Sequence, residues 1–368
     1  MRIIHCIWSF NTGGAETMLV DIANEQVKTQ EVYVLIVNDS CQKYLIDRLS
    51  PEVKVIFNKR NPGTRSIWPL IRLNWTLLRL RPDVIHLHNG ALPKVIIPLV
   101  SRGLFLTVHA LQIPLESVRR GMKLIAISEA VREDVLSRGN YDIVTIPNGI
   151  DVDAIEKRGR HNLNGKMRIV QVGRLDASKK GQDILIDALA LLKQRGLKDI
   201  EVDFIGQGGS MEELKVQADQ LGVSSNVHFL GLCDRNYIYS HLKEYDLMCH
   251  PSRYEGFGLT VAEGMAAMLP VLVSDEGGPY EIIDHGKLGW SFKMERTEDC
   301  AEKIAYIYHH YQEALNLVQE AFESVSMHYS VERMAGDYIK YYKDSLCRRT
   351  TINPILLAKR MKIWTYEL

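Results

Sequence analysis

Along this chain, short apolar runs alternate with stretches whose apolar positions recur every three to four residues. RIIHCIW (2–8), VYVLIV (32–37), VKVIF (53–57), DVIHLH (83–88), LFLTVH (104–109), KLIAIS (123–128) and IVTIP (143–147) predict buried strands. GAETMLVDIANEQV (14–27) and SEAVREDVLSRG (128–139) predict amphipathic helices between them. The alternation resumes after residue 165 with RIVQVG (168–173), EVDFIG (201–206), NVHFLG (226–231), DLMCH (246–250), PVLVS (270–274) and LGWSF (288–292). GQDILIDALALLKQRG (181–196) and SMEELKVQADQLG (210–222) predict helices inside this second set. Strands apolar on both faces, separated by helices, argue for parallel sheets with crossover connections. The break between the sets, residues 148–167, is polar, charged and glycine-containing, and reads as a linker. The expected fold is therefore α/β, with two doubly wound parallel-sheet domains facing a central cleft. Ligands of such sheets bind at the carboxyl ends of the strands. No internal repeat or low-complexity segment interrupts the pattern.

Composition narrows the classes. The 368 residues exceed one compact core of usual size, and the apolar fraction of 46% excludes a disordered chain. Lys plus Arg equals Asp plus Glu, 45 each, so no overall field points to nucleic acid. The six cysteines form no Cys-x-x-Cys pair, which reads as reduced thiols rather than a zinc or disulfide framework. MRIIHCIWSF begins a strand at once without the regions of a secretion signal, and no apolar run reaches the roughly 18 residues a bilayer span needs. A cytoplasmic protein, or one peripheral on the inner face of the cell membrane, is expected.

Three stretches carry chemistry. In FNTGGAETM (10–18) a strand gives way to Gly13 and Gly14 and then a helix, an arrangement that lets backbone approach an anion, or that simply makes a tight turn. In VGRLDASKKG (172–181) Arg174 and Lys180 follow a strand end and flank a helix start, which suits a diphosphate. In HPSRYEGFGLTVAEG (250–264) Glu255 and Glu263 surround the turn Gly256-Phe257-Gly258-Leu259, and GGPYE (277–281) repeats the theme one strand later. Carboxylates accept hydrogen bonds from vicinal hydroxyls, and turn amides at a helix start favour phosphate. Together these groups ask for a ligand with both, a nucleotide sugar.

Glu255 and Glu263 with seven residues between them, preceded by GRLDASKKG and an N-terminal GGAE, resemble retaining glycosyltransferase family 4. TVHA, AISEAV and IPNGID also look like segments of that family, and the likeness runs over about residues 1–345. The resemblance implies the GT-B architecture, with an acceptor domain over 1–160, onto which 326–368 packs back, and a donor domain over 161–325. It implies that Glu255 contacts hydroxyls of the donor sugar and Glu263 the ribose. Arg174 and Lys180 would neutralise the diphosphate, and backbone from Gly256 to Leu259 would add donors. His109 would stand near the donor sugar, and Gly13 and Gly14 would face the phosphates. The base would lie near HFLGL (228–232). Many relatives carry arginine after GGAE where this chain has Thr17, which leaves the acceptor open.

The reaction expected from the resemblance is retaining transfer from a UDP- or GDP-linked sugar to a glycan or polyprenyl-diphosphate-linked acceptor, in bacterial surface-polysaccharide synthesis (O-antigen, capsule or exopolysaccharide). Cations and amides would stabilise the departing diphosphate, so neither metal nor cofactor is expected. A nucleotide-sugar epimerase on the same architecture and a non-catalytic nucleotide-sugar-binding protein remain alternatives.

Other signals read as structural. Asp151-Val152-Asp153 is a short acidic match in the linker, and His86 and His88 share one strand face without completing a metal set. Ser128 reads as a helix cap. Residues 59–82 are cationic without an acid, with Trp68 and Trp75 seven apart and Arg65, Arg72 and Arg79 likewise. That segment reads either as an interfacial helix contacting anionic membrane or as a crossover helix, and the two combine if the aromatic side packs inward and the arginines face lipid. The cationic, partly apolar tail 347–368 could reinforce such contact or pack on the first domain.

Overall fold

A computed structural model of the protein describes residues 1–11, 13–97, 103–159 and 162–350. The first seven strands are β1 (Arg2–Ile7), β2 (Glu31–Asn38), β3 (Lys54–Arg60), β4 (Val84–Leu87), β5 (Gly103–Val108), β6 (Lys123–Ala126) and β7 (Ile143–Thr145). Helices α1 (Gly14–Val27), α2 (Lys43–Asp47), α3 (Trp68–Leu80) and α4 (Glu129–Ser137) fall among them. The second series is β8 (Met167–Val172), α5 (Ala177–Lys180), α6 (Gln182–Gln194), β9 (Ile200–Ile205), α7 (Met211–Gln220), β10 (Val227–Gly231), α8 (Arg235–His241), β11 (Leu247–His250), α9 (Leu259–Ala266), β12 (Val271–Ser274), α10 (Gly277–Ile282) and β13 (Trp290–Phe292). Helices α11 (Thr297–His309), α12 (Tyr311–His328) and α13 (Val331–Thr350) follow.

One sheet runs in the order β3-β2-β1-β4-β5-β6-β7 and the other β10-β9-β8-β11-β12-β13. Every strand pair with a described register is parallel. Both orders reverse direction beside the first strand of their series, which places a switch point at the ends of β1 and β4 and again at β8 and β11. All thirteen strands fall on the predicted apolar runs. The six cysteines are free thiols.

By its contacts the chain divides into two compact units. Among the described residues, one comprises Met1–Thr107, Pro114–Lys123 and α13 from Ala335, the other Val108–Ile113 and Leu124–Met334. In the first unit α13 packs on the sheet through Tyr338 and Tyr342, both fully buried. The Tyr338 hydroxyl lies 3.1 Å from Thr107 Oγ1, and the Tyr342 hydroxyl 2.5 Å from His86 Nδ1. In the second unit a continuous apolar core joins β8, β9 and β11 to α6 and α11, including Ile169, Leu185, Phe204, Leu247 and Ile304.

Two expectations are corrected. Residues 148–159 are not a free linker. Gly149 lies so close to Ser330 that a Cβ there would meet its carbonyl oxygen at 2.4 Å, and Arg158 is buried with Nη2 2.6 Å from Asp246. Burying a guanidinium beside a carboxylate ties the segment to β11, whatever its polar composition suggests. In helix α3 the arginines face out as the combined reading had them, but the tryptophans do not turn inward. Leu73, Asn74 and Leu77 are buried, while Trp68 and Trp75 are 73% and 59% exposed. Asn74 decides the orientation, because its amide donates to Leu70 and Val95 carbonyls and accepts from Ile97 N–H, backbone groups that need partners once buried. The tail from residue 351 lies outside the described residues.

Candidate active site

The site is built at the carboxyl ends of β8, β9, β11 and β12, in the second unit. Gly173 follows strand β8, and its carbonyl would be 1.9 Å from a Cβ on Gly206, the residue after β9. The chain then passes Arg174 and forms the single turn of α5. Gly181 closes that turn at φ 65°, and any Cβ there would strike the Pro251 carbonyl at 1.9 Å. Only glycine meets both conditions. The backbone N–H groups of Arg253 and Tyr254 donate to Lys179 O at 2.9 and 3.0 Å, so the loop after β11 is hung on the loop after β8. Arg253 reinforces the join with a two-pronged pair to Asp183 at 2.7 and 2.8 Å and a third contact to Glu295 at 2.6 Å.

This frame sets Lys180 against Glu255, which it ion-pairs; the two side chains are 23% and 20% exposed. Beneath them His250, the last residue of β11, is 2% exposed and points Nε2 at the same carboxylate, 3.5 Å away. Its Nδ1 lies 3.4 Å from the hydroxyl of Thr260 in α9. Burial pushes the Glu255 carboxyl up, but nearby His250 and the Lys180 charge outweigh it and hold the group well below the usual carboxylate range. Burial pushes His250 down, and its Nε2, although 3.5 Å from the carboxylate, makes no hydrogen bond to it.

The two glycine turns interlock. Gly258 caps the start of α9 at φ 98°, packed under Pro279, and a Cβ on Gly278 would lie 2.4 Å from Phe257 Cα and 2.5 Å from the Gly256 carbonyl. Gly278 N–H donates to Glu255 O at 3.2 Å. Phe257 turns its ring into the core, 3% exposed, so only its backbone is available to a ligand. Leu259 is the first residue of α9. Gly256 sits against the chain just beyond β5, where a Cβ would be 3.4 Å from His109 O. Burial lowers His109 to about 4, so it is neutral near pH 7.

The structure thus brings Lys180, Glu255, Gly256 and His109 into one neighbourhood. Arg174 is exposed, and its side chain has no ion-pair partner among the described residues. Glu263 is 9% exposed on α9 and accepts from the Tyr239 hydroxyl at 3.3 Å. Gly13 and Gly14 open α1 in the first unit, where the Glu16 carboxylate folds back so closely that a Cβ on Gly13 would meet it at 2.5 Å. Leu230 and Leu232, beside the expected base position, are 40% and 62% exposed. His250 and Arg253 were not singled out in the sequence. Their signal was faint: a histidine ending a strand five residues before Glu255, and an arginine between it and the acid.

Elsewhere, Ser128 caps α4 by accepting from Val131 N–H at 3.1 Å, and the Glu281 carboxylate accepts from Glu129 N–H at 2.9 Å and from Ala130 N–H at 2.5 Å. Nearby, Glu129, Glu133, Asp275, Glu276 and Glu281 line a cavity of about 610 Å³, whose charge suits hydroxyls and disfavours phosphate. Asp151 caps its own turn by accepting from Ala154 N–H. Among the described residues one group could hold a metal, His5, His86 and His88. All three are buried, and their ring nitrogens are engaged: His5 with His88 at 3.0 Å and Gln26 at 2.8 Å, His86 with Thr107 at 2.6 Å and Tyr342 at 2.5 Å. That is a buried hydrogen-bonded network tying α1 and α13 to the sheet.

Two family profiles match the chain: "Glycosyltransferase Family 4" over residues 12–154 and "Glycosyl transferases group 1" over 153–324. The chain belongs to glycosyltransferase family 4. Among the relatives of this family 4 chain is the phosphatidyl-myo-inositol mannosyltransferase of Mycobacterium tuberculosis, 30% identical over 242 residues. That match takes in 61% of this chain, which spans 62% of the relative's length. Among solved structures, Anabaena HepE in complex with UDP-glucose superposes with a TM-score of 0.78 at 21% identity, covering 94% of this chain and 100% of that one. A glycosyltransferase from Rickettsia africae gives 0.78 at 19% identity, over 94% and 98% of the two chains. The fold is GT-B, with two Rossmann-like parallel sheets.

Proposed function

We propose that this family 4 protein is a retaining, metal-independent glycosyltransferase that takes a nucleotide diphosphate sugar as donor. The observation that carries the reading is the half-buried Glu255 carboxylate, held ionised by Lys180 and by buried His250 at the head of a glycine turn. An ionised acid with free lone pairs is suited to grip sugar hydroxyls, and the adjacent cation is suited to a diphosphate. The complex of HepE with UDP-glucose supports a nucleotide-sugar donor.

In this reading Glu255 orients the donor sugar, and Glu263 holds the ribose. Exposed Arg174 swings to the diphosphate, and Lys180 shares itself between Glu255 and the phosphates. Amides from Gly256 to Leu259 add dipoles aimed at the charge that grows as the anomeric carbon–oxygen bond breaks. His109, neutral, donates to or accepts from the sugar without competing for charge. With these groups in place the leaving group is stabilised without a divalent ion. The acceptor attacks from the face the diphosphate leaves, and the departing phosphate oxygen takes its proton. The acceptor is a lipid-linked glycan of a cell-surface polysaccharide, at the inner face of the membrane. The name of the mycobacterial relative, which specifies a membrane lipid, supports a lipid-borne acceptor.

The test is a panel of UDP- and GDP-sugars with lipid-linked acceptors, in chelator, with the product anomer read by NMR. Transfer with retention in chelator supports the reading. Loss of transfer in chelator, an inverted product, or an epimerised free donor would each overturn part of it.

A further inference from the structure

We propose that the outer face of α3 is a docking surface for an anionic bilayer. Trp68, Ile71, Trp75 and Leu78 stand at spacings of three, four and three, one face of the helix, and are 73%, 48%, 59% and 43% exposed. Ile67, just before the helix, is 64% exposed. A contiguous stripe of this kind on a water-facing helix is costly unless something covers it. The inner face is already committed through Leu73, Asn74 and Leu77, so α3 cannot roll to hide its tryptophans.

Charge selects the occupant. Residues 59–82 hold Lys59, Arg60, Arg65, Arg72, Arg79 and Arg81 and no acid, in a chain whose total charges cancel. Arg65, Arg72 and Arg79 are exposed, and none is ion-paired among the described residues. The Arg79 guanidinium lies 5.4 Å from the Trp75 ring centre, so cation and aromatic surface are presented together. A second copy docked by a two-fold axis would set these arginines against each other. An anionic lipid surface accepts both features, the tryptophans at headgroup depth and the arginines on phosphates. The inference rests on the preceding reading only for its purpose, bringing the donor site to a lipid-borne acceptor. Vesicle binding is measured without donor or acceptor, so either proposal can fail while the other stands.

The full chain is sedimented with vesicles of phosphatidylcholine alone and with 30% phosphatidylglycerol. Binding to the anionic vesicles, reduced about tenfold or more in R72E/R79E and in W68S/W75S, is expected. Both variants change exposed positions only and should keep the wild-type melting temperature. They leave the segment beyond residue 350 untouched, so loss of binding reports on α3. Equal binding to neutral vesicles, unchanged binding in either variant, or a dimer in solution that W68S/W75S dissociates would each overturn the proposal.

Discussion

Replacing Lys180 by Met keeps the length of the side chain and removes the cation facing Glu255. The two side chains are 23% and 20% exposed, between the surface pairs worth about 0.2–1 kcal/mol and fully buried pairs whose rupture costs about 3–5 kcal/mol. A coupling of about 2 kcal/mol is therefore expected from a double-mutant cycle of K180M, E255Q and the double variant in urea melts. E255Q should lose less stability than K180M, because it leaves the lysine partly hydrated whereas K180M leaves an ionised carboxylate over buried His250. In catalysis the loss is of another kind. If Lys180 meets the departing diphosphate, K180M lowers kcat by about 10²–10³, the cost of one preorganised donor, roughly 2.7–4 kcal/mol. The assay is donor turnover at saturating acceptor, with donor Kd from calorimetry. A K180M enzyme with wild-type kcat and only weakened donor Kd would refute the transition-state role, and a coupling near zero would refute the pairing itself.

His250→Leu should raise donor KM, because Glu255 loses the polar ring 3.5 Å from its carboxylate. His250→Asn, which keeps a polar side chain there, should restore much of that loss, and equal KM in both would make the histidine mere packing. Gly278→Ala should abolish donor binding, since its Cβ meets Phe257 Cα at 2.4 Å, whereas Gly209→Ala, with nothing within 4 Å, should melt and bind as wild type. His5, lowered to about 4 by burial against an ordinary 6.5, makes stability pH-dependent. The unfolded chain takes up the proton first, so the contribution is full above about pH 6.5 and is lost as pH falls toward 4, about 3 kcal/mol in total. In H5Q the slope of unfolding free energy over that window should fall by about one proton, and an unchanged slope would contradict the assignment.

The strands were legible because parallel sheets need residues apolar on both faces, and each run met that demand without help from distant parts of the chain. The glycine turns were legible for a similar local reason. What escaped was set by three-dimensional partners. His250 looks like any strand residue until Glu255 and Thr260 close over it. Arg253 gains its role from Asp183, seventy residues earlier. Arg158 sits in a polar stretch and is buried because Asp246 awaits it. Helix α3 was misoriented because its periodicity marks two apolar faces, and the choice between them fell to Asn74, whose partners are backbone atoms of Val95 and Ile97.

The contacts that place Glu255 are almost all between main chains: Gly181 on Pro251, the Arg253 and Tyr254 amides on Lys179, Gly278 on Phe257. Such contacts do not depend on which side chains surround them, so the loop can hold its course while neighbouring positions vary. The side chains that chiefly hold the acid ionised are Lys180 and His250. The groups that tell one sugar from another must then lie outside this frame, among exposed positions such as Tyr254, 44% exposed beside Glu255. Tyr254→Ala should accordingly shift the ratio of kcat/KM between two donor sugars while leaving the Lys180–Glu255 coupling intact. A variant that lost the coupling as well would mean that the frame is held by side chains after all.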